Sequence, residues 1–314
     1  TNASINGHAE GMLANPDLTW EKEKEINVGL EATLFNHLNI NIDVFDQDRY
    51  DILDEPLNTV PQLLGVGMPA LNVGEVSNRG FEATIGYQSL QNRKVQFLTD
   101  FSVWYAKNKV TYTSEPLQRD EYQNKTGRPI DQPFLLEAIG FFNDQADIDN
   151  SPRQIFAQVQ PGDIKYKDQN QDDIVDQSDF FPIGYPNFPE FSFSMHTWVK
   201  FNSVYLDLFF QGAANRSVYL SGPDFYAFQN NGKVSEIALG RWTQQTSESA
   251  TYPRLSANNN MNNFQPSSFW QRDGSFIKLR NAEFGFNLPK AFINKVKITE
   301  AKIFINGNNL FSWD

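Results

Sequence analysis

The protein has 314 residues, a formal net charge of −12 and no cysteine. The acidity argues against a nucleic-acid surface, which needs clustered Lys and Arg, and the lack of cysteine excludes disulfides, zinc–thiolate sites and thiol nucleophiles. No apolar run of about 18 residues is present, so no transmembrane helix is predicted.

In chain order, residues 1–18 are predicted to form a loop, and a β-hairpin near 20–48 follows. Ile26, Val28 and Leu30 alternate with polar or small residues, and the alternation restarts at Leu38 after a short turn. Period-2 alternation is typical of strands that have one apolar and one polar face. The same design recurs in three further segments, so hairpins are predicted near 78–106, 189–212 and 275–306.

The connections between these hairpins are unequal in a regular way. Links within hairpins are short, whereas long loops are predicted near 50–76, 106–189 and 213–274. Short turns at one end and long loops at the other favour an all-β fold, a transmembrane antiparallel β-barrel whose apolar residues face lipid and whose polar residues face the lumen. A soluble β-sandwich also has alternating strands and is the alternative, although such long loops count against it.

An acidic stretch in the second long loop has the spacing of an EF-hand-type calcium loop. The expected metal ligands are Asp168, Asn170, Asp172, the Ile174 carbonyl, Asp176 and Asp179. Position 6 of the loop is Asp173 where such loops have glycine, but Asp can adopt the left-handed backbone that this position needs. The alternative interpretation is a solvated acidic turn.

No sequence motif for catalysis is found, and we expect no enzyme activity. The loop aromatics Trp242, Tyr252 and Trp270 could stack on sugar rings as weak substrate-binding candidates, or they could pack the loops. A soluble calcium-dependent carbohydrate-binding module is therefore a further hypothesis for the function.

Several stretches together resemble the SusC/RagA-like family of TonB-dependent outer-membrane transporters. They are 15–22 (NPDLTWEK), 27–30 (NVGL), 74–82 (GEVSNRGFE), 127–130 (GRPI), 161–168 (PGDIKYKD), 183–186 (IGYP), 209–212 (FFQG), 269–281 (FWQRDGSFIKLRN) and 308–313 (NNLFSW). The resemblance implies a plugged barrel of about 22 strands in the outer membrane of a Gram-negative bacterium. It also implies a SusD-like surface lipoprotein partner, a TonB complex that powers import of glycans or peptides, and an extracellular position for the calcium loop.

About eight strands cannot close a barrel of that size, and open sheet edges are not tolerated in lipid. We therefore expect residues 1–314 to be the C-terminal part of a longer transporter, with the plug domain and signal peptide outside them. An alternative function is a non-transporting structural or assembly subunit of a larger outer-membrane complex that is built on a SusC-like barrel.

Overall fold

The computed structural model describes residue 11 and residues 13–56, 67–89, 94–258 and 260–314. Most of the loop predicted for 1–18, part of the loop predicted for 50–76 and the turn at 90–93 lie outside the described residues. No helix in the described part of the chain is long and apolar enough to span a membrane.

Eight long strands form one antiparallel sheet, here called the wall, in which neighbours in sequence are neighbours in space. The strands are β1 (Lys22–Leu34), β2 (Leu38–Asp54), β3 (Leu71–Gln88), β4 (Val95–Tyr112), β5 (Phe191–Phe201), β6 (Val204–Ala214), β7 (Phe276–Asn287) and β8 (Lys302–Trp313). All four predicted hairpins are thereby present and in the predicted order. The β1–β2 turn has positive φ at Phe35 (53°) and Asn36 (56°), as a tight turn between twisted strands requires.

One face of the wall is apolar across its whole width. In one cross-strand row, Val28, Val44, Phe81, Tyr105 and Phe191 are direct neighbours. Large side chains on this face remain exposed, for example Leu30 at 59% and Ile305 at 72%. Apolar surface of this extent cannot stay in water, so this face requires lipid or protein against it.

The opposite face is polar in the same register. Glu31, Asn41, Thr84, Ser102 and Ser194 form one row across β1 to β5. The Thr84 and Ser102 hydroxyls are 3.0 Å apart and form a cross-strand hydrogen bond. The period-2 pattern therefore gives the correct face for each strand residue in these rows.

The strand ends differ from the prediction. Strand β2 reaches Asp54, β3 begins at Leu71 and β4 reaches Tyr112, so the first two loops are shorter than 50–76 and 106–189. Near the ends of the strands that lead into the long loops, the alternation of apolar residues stops. Charged cross-strand pairs such as Arg49 with Glu23 continue the strand pairing there. In the last hairpin β8 begins at Lys302, because a short helix at Lys290–Ile293 and a 3-10 turn at Asn294–Val296 occupy the connection.

The two longest connections fold together into a loop body, which comprises 113–190 and 215–275. Its small paired strands are Phe134–Leu135 with Phe181–Pro182, Ala138–Phe141 with Ile164–Tyr166, Arg153–Gln154 with Ile174–Val175, and Ser217–Tyr219 with Gln271–Asp273. Its helical segments are Gln145–Asp149, Glu121–Gln123, Gln177–Asp179, Gln229–Asn231, Glu236–Gly240 and Ser268–Trp270. An apolar core around Leu136, Ile164, Tyr166 and Trp270 holds these pieces together.

Candidate functional site

A buried carboxylate organises the loop body. Asp163 is fully buried, and its two oxygens accept hydrogen bonds from Asn260 Nδ2 (2.8 Å), Asn263 Nδ2 (2.9 Å), the Gln160 backbone amide (2.8 Å) and Arg254 Nη2 (3.2 Å). Arg254 Nε lies 2.7 Å from Oδ1 and supplies the counter-charge. A buried carboxylate is stable only with such complete pairing, so Asp163 ties the 160–166 segment to the 254–263 segment.

The three aromatic candidates belong to this packed region. Trp270 is 0% exposed and Tyr252 is 2% exposed. Trp270 donates its Nε1 hydrogen to the Asn263 carbonyl at 2.8 Å, and the Tyr252 hydroxyl donates to the Phe225 carbonyl at 2.8 Å. Trp242 lies against Gly162, where any added Cβ would meet its ring. These placements favour the packing interpretation over stacking on a sugar.

The acidic loop turns its carboxylates toward its own backbone. Asp168 accepts hydrogen bonds from the Gln171 amide (2.7 Å) and the Asp173 amide (2.8 Å). Asp179 is fully buried and accepts from the Gln169 and Asp176 amides, both at 2.7 Å. Burial raises the pKa of the Asp179 carboxyl above its ordinary value, and the Asp168 charge acts in the same direction.

The remaining predicted ligands are engaged within the same loop. Asp172 Oδ1 accepts from the Ile174 amide at 3.1 Å, Asp172 Oδ2 accepts from Asn170 Nδ2 at 2.9 Å, and Asp176 accepts from the Ser178 amide at 2.7 Å. Across the described ranges no group of three or more His, Cys, Asp and Glu residues is placed so that it could hold a metal ion. The calcium site therefore stays a prediction.

The backbone of the acidic loop has the conformation that the position-6 residue requires. Asp173 has φ of 65°, in the left-handed region that EF-hand-type loops fill with glycine. Asp tolerates this region because its side chain is short and polar, so the substitution of glycine does not prevent the turn.

A cavity of about 390 Å³ lies where the loop body meets the polar face of the wall. The wall contributes Gln47, Asn78, Trp104 and Asn108, and the loop body contributes Phe188 among others. The loop body therefore lies over part of the polar face of the wall, near the ends of the strands that lead into the long loops, and leaves space between them.

The sequence prediction missed Trp104 and Phe188 as candidate site residues. Trp104 stands on the polar face, with Glu82 and Ser192 as its cross-strand neighbours. An aromatic residue at a polar position of an alternating strand is a signal that could have identified it. Phe188 lies in an irregular segment and is 78% exposed, and no sequence pattern marks it.

A wide antiparallel wall that has one exposed apolar face and one polar face is the wall of a transmembrane β-barrel. Residues 1–310 match the family model described as "TonB dependent receptor-like, beta-barrel". The chain therefore belongs to this family, and it is a partial barrel of an outer-membrane protein. The predicted family of TonB-dependent barrels and the predicted fold class are both confirmed.

Two relatives from Formosa agariphila illustrate the match. TonB-dependent receptor P3 is 24% identical, over 98% of this chain and 31% of the relative, and TonB-dependent receptor P26 is 24% identical, over 99% and 32%. The chain thus spans about a third of the length of the curated relatives it matches.

Solved structures share the fold. The structure of the RagAB peptide transporter superposes with a TM-score of 0.72 at 18% identity, over 95% of this chain and 32% of that chain. The RagAB peptide importer in an open-open state gives a TM-score of 0.69 at 20% identity, over 96% and 32%.

Proposed function

We propose that the full-length protein imports a nutrient, a glycan or a peptide, across the outer membrane as a TonB-dependent transporter. The observation that carries this proposal is the cavity between the loop body and the polar face of the wall. A transporter needs a space on its lumen side in which a ligand is held before passage, and Trp104 and Asn108 line such a space.

A SusD-like surface lipoprotein is the proposed partner, and a TonB complex is the proposed energy source. Both follow from the SusC/RagA-like resemblance, and the structural neighbours bear the name RagAB peptide transporter. The outer-membrane lipid covers the apolar face of the wall, because residues such as Leu30 and Ile305 are exposed there.

Deletion of the gene tests the import proposal. We expect cells that lack it to stop accumulating at least one labelled oligosaccharide or peptide that the parent strain takes up, and a plasmid copy to restore uptake. A protonophore should abolish uptake in the parent, because TonB-dependent import needs the proton gradient. Unchanged import of every glycan and peptide, together with loss of a membrane complex, would instead indicate an assembly role.

We also propose that calcium stiffens the acidic loop through Asp168, Asn170, Asp172, the Ile174 carbonyl, Asp176 and Asp179. Oxygen donors at this spacing suit calcium, and the left-handed Asp173 supports the required turn. The side chains of Asp168 and Asp172 would have to share their carboxylates between the ion and the backbone amides that they accept now.

Protease resistance with and without calcium measures this effect. Cleavage within 168–179 should slow when calcium is added to EGTA-treated full-length protein, and the slowing should be absent in the Asp172→Asn variant. Asp149→Asn, an exposed acid elsewhere in the loop body, is the matched control. Equal cleavage with and without calcium would reject the calcium proposal.

A further inference from the structure

The connection between β7 and β8 begins where the apolar face of the wall ends. Phe286 and Ile303 are cross-strand neighbours on that face, and Leu288 then donates its backbone N–H to the Ala301 carbonyl at 2.9 Å. The short helix Lys290–Ile293 starts two residues after Leu288. A strand advances about 3.3 Å per residue, so the connection lies at the edge of the apolar face, where a bilayer has its headgroups.

Basic side chains dominate this connection. Residues 288–301 contain Lys290, Lys295 and Lys297 but a single acid, Glu300, in a chain whose net charge is −12. All four residues are exposed. None of the three lysines forms an ion pair with any residue that the structure describes. The connection is therefore a positive surface whose charge is open to a partner.

The backbone puts one of these lysines at a position that glycine usually fills. The Ile298 amide donates to the Ile293 carbonyl at 3.1 Å, and the Lys297 amide donates to the Asn294 carbonyl at 3.2 Å. These two bonds form the Schellman motif that ends a helix, and its left-handed residue is Lys297, with φ of 57°. Because Ile293 is only 3% exposed, it anchors the motif. The lysines thus extend from a defined turn.

Neighbouring turns at the same end of the wall add charge of the same sign. The Asn202 amide donates to the Lys94 carbonyl at 3.4 Å, and the Asn287 amide donates to the Ser203 carbonyl at 2.7 Å, so three turns lie side by side. They contribute the side chains of Lys94 and Lys200. Neither of these lysines has an ion-pair partner among the described residues.

The acids of β6 and β7 face the lumen and are engaged there. Glu283 accepts a hydrogen bond from the Tyr205 hydroxyl at 2.6 Å and lies 3.6 Å from Lys302 Nζ. Asp207 Oδ1 lies 2.9 Å from His196 Nε2. These acids therefore do not neutralise the lysines of the connection.

Exposed apolar side chains accompany the lysines. Phe292 is 62% exposed and Ile298 is 46% exposed, within the same short connection. A membrane interface suits this combination, because apolar groups enter the acyl region while lysine stems extend along it and carry their ammonium groups to the phosphates. An acidic soluble protein would match the charge, but it would not continue the lipid that covers Phe286 and Ile303.

We propose that the β7–β8 connection, through Lys290, Lys295 and Lys297, binds the phosphate groups of anionic phospholipids in the leaflet at the short-turn end of the wall. These lipids are thereby concentrated around the last hairpin of the chain. Such a lipid contact is independent of the import function and of the substrate.

Quenching of a fluorescent label by brominated lipid measures this concentration. The full-length protein is placed in liposomes of phosphatidylethanolamine and phosphatidylglycerol in equal amounts, with bromine on one lipid or on the other. A label at Ile303→Cys, beside the connection, should indicate about fivefold more phosphatidylglycerol than phosphatidylethanolamine nearby. A label at Leu34→Cys is the control, because the 35–37 turn beside it has no Lys or Arg. At about pH 8, where histidine side chains carry little charge, it should indicate equal amounts.

Charge variants show whether the lysines cause the enrichment. The combined change of Lys290, Lys295 and Lys297 to Gln should abolish it, and their combined change to Arg should keep it. The matched control replaces three exposed lysines of the long-loop end by Gln and should keep it as well; they are Lys109, Lys125 and Lys233. Salt at about 1 M should remove the enrichment in the wild type, because the screening length is then about 3 Å.

The salt measurement needs no variant of the lysines, so it remains decisive if the Gln variant folds poorly. Equal quenching by the two lipids at Ile303→Cys would overturn the lipid contact. So would the same enrichment at Leu34→Cys, enrichment that persists in the Gln variant, or enrichment that salt leaves unchanged. An acidic protein that binds this end while neither lipid is enriched would assign the lysines to a protein partner instead.

Discussion

Replacement of Asp163 by Asn keeps the shape of the buried side chain but removes its charge and one acceptor position. Asp163 Oδ1 faces the donors of Asn260 and Asn263, and Oδ2 faces those of Gln160 and Arg254. Whichever way the new amide points, its NH₂ group meets N–H donors. The variant therefore loses hydrogen bonds and leaves Arg254 without its counter-charge.

The size of this effect follows from burial. Breaking a buried ion pair by removing one partner costs about 3–5 kcal/mol. The Arg254 side chain is 20% exposed and regains some hydration, so we expect the lower end, about 3 kcal/mol. That difference corresponds to opening of the loop body on the order of 100-fold more often.

Hydrogen–deuterium exchange of the full-length protein in detergent measures this opening. Amides in Ile164–Tyr166 and near Trp270 should exchange on the order of 100-fold faster in Asp163→Asn, whereas wall strands should be unchanged. Asp149→Asn, an exposed acid of the same body, should change nothing at these amides. Less than a threefold change in Asp163→Asn would refute the role given to Asp163.

Three further variants test the packing and the charges. Gly212→Val places a side chain into the Phe193 ring, and we expect a loss of about 1–3 kcal/mol, seen as a lower temperature of heat-modified gel migration. Tyr252→Phe removes a buried hydroxyl that makes two backbone hydrogen bonds, and exchange in the loop body should report a loss of about 1–2 kcal/mol. The Lys165 ammonium beside Asp147 lowers the pKa of that carboxyl, so its stabilising effect is present above the ordinary Asp pKa and is lost as the pH falls through the lowered value. Wild type should resist proteolysis better than Asp147→Asn near neutral pH, and the difference should begin to shrink below about pH 4 and vanish below the lowered pKa of Asp147.

For each of these three variants, one result would contradict the expectation. An unchanged gel transition in Gly212→Val would mean that Phe193 can move aside at no cost. Unaltered hydrogen–deuterium exchange in Tyr252→Phe would mean that the Tyr252 hydroxyl does not stabilise the core of the loop body. A protease difference between wild type and Asp147→Asn that persists at low pH would show that charge is not its cause.

The wall was predictable because the face on which each strand residue lies depends only on its position within that strand. A strand with one face in lipid needs strict alternation of apolar and polar residues. The apolar Leu30 and the charged Glu31 are therefore assigned to opposite faces from the sequence alone. The strand ends were not predictable in the same way. Near the long loops both faces of the wall carry polar groups. In the sequence, residues such as Glu23 and Arg49 cannot be distinguished from loop residues until the strand register is known.

The loop body was not predictable from local pattern, because its stability depends on distant partners. Asp163 meets Asn260 and Asn263, which follow it by 97 and 100 residues. No periodicity connects such positions. The Pro161-Gly162-Asp163 stretch belongs to the family resemblance, and the structure gives a reason for it: Trp242 closely approaches Gly162, and Asp163 is buried.

The apolar face of the wall is expected to contact lipid, and the polar face is expected to line the lumen. The 314 residues contain no cysteine, so a cysteine that is introduced into this region is its single thiol and takes the fluorescent label at that position. Labels at Leu30→Cys and Glu31→Cys of the full-length protein in liposomes can be compared for quenching by brominated lipid. We expect strong quenching at position 30 and little at position 31, and equal quenching at both positions or the reverse order would contradict this assignment of the two faces.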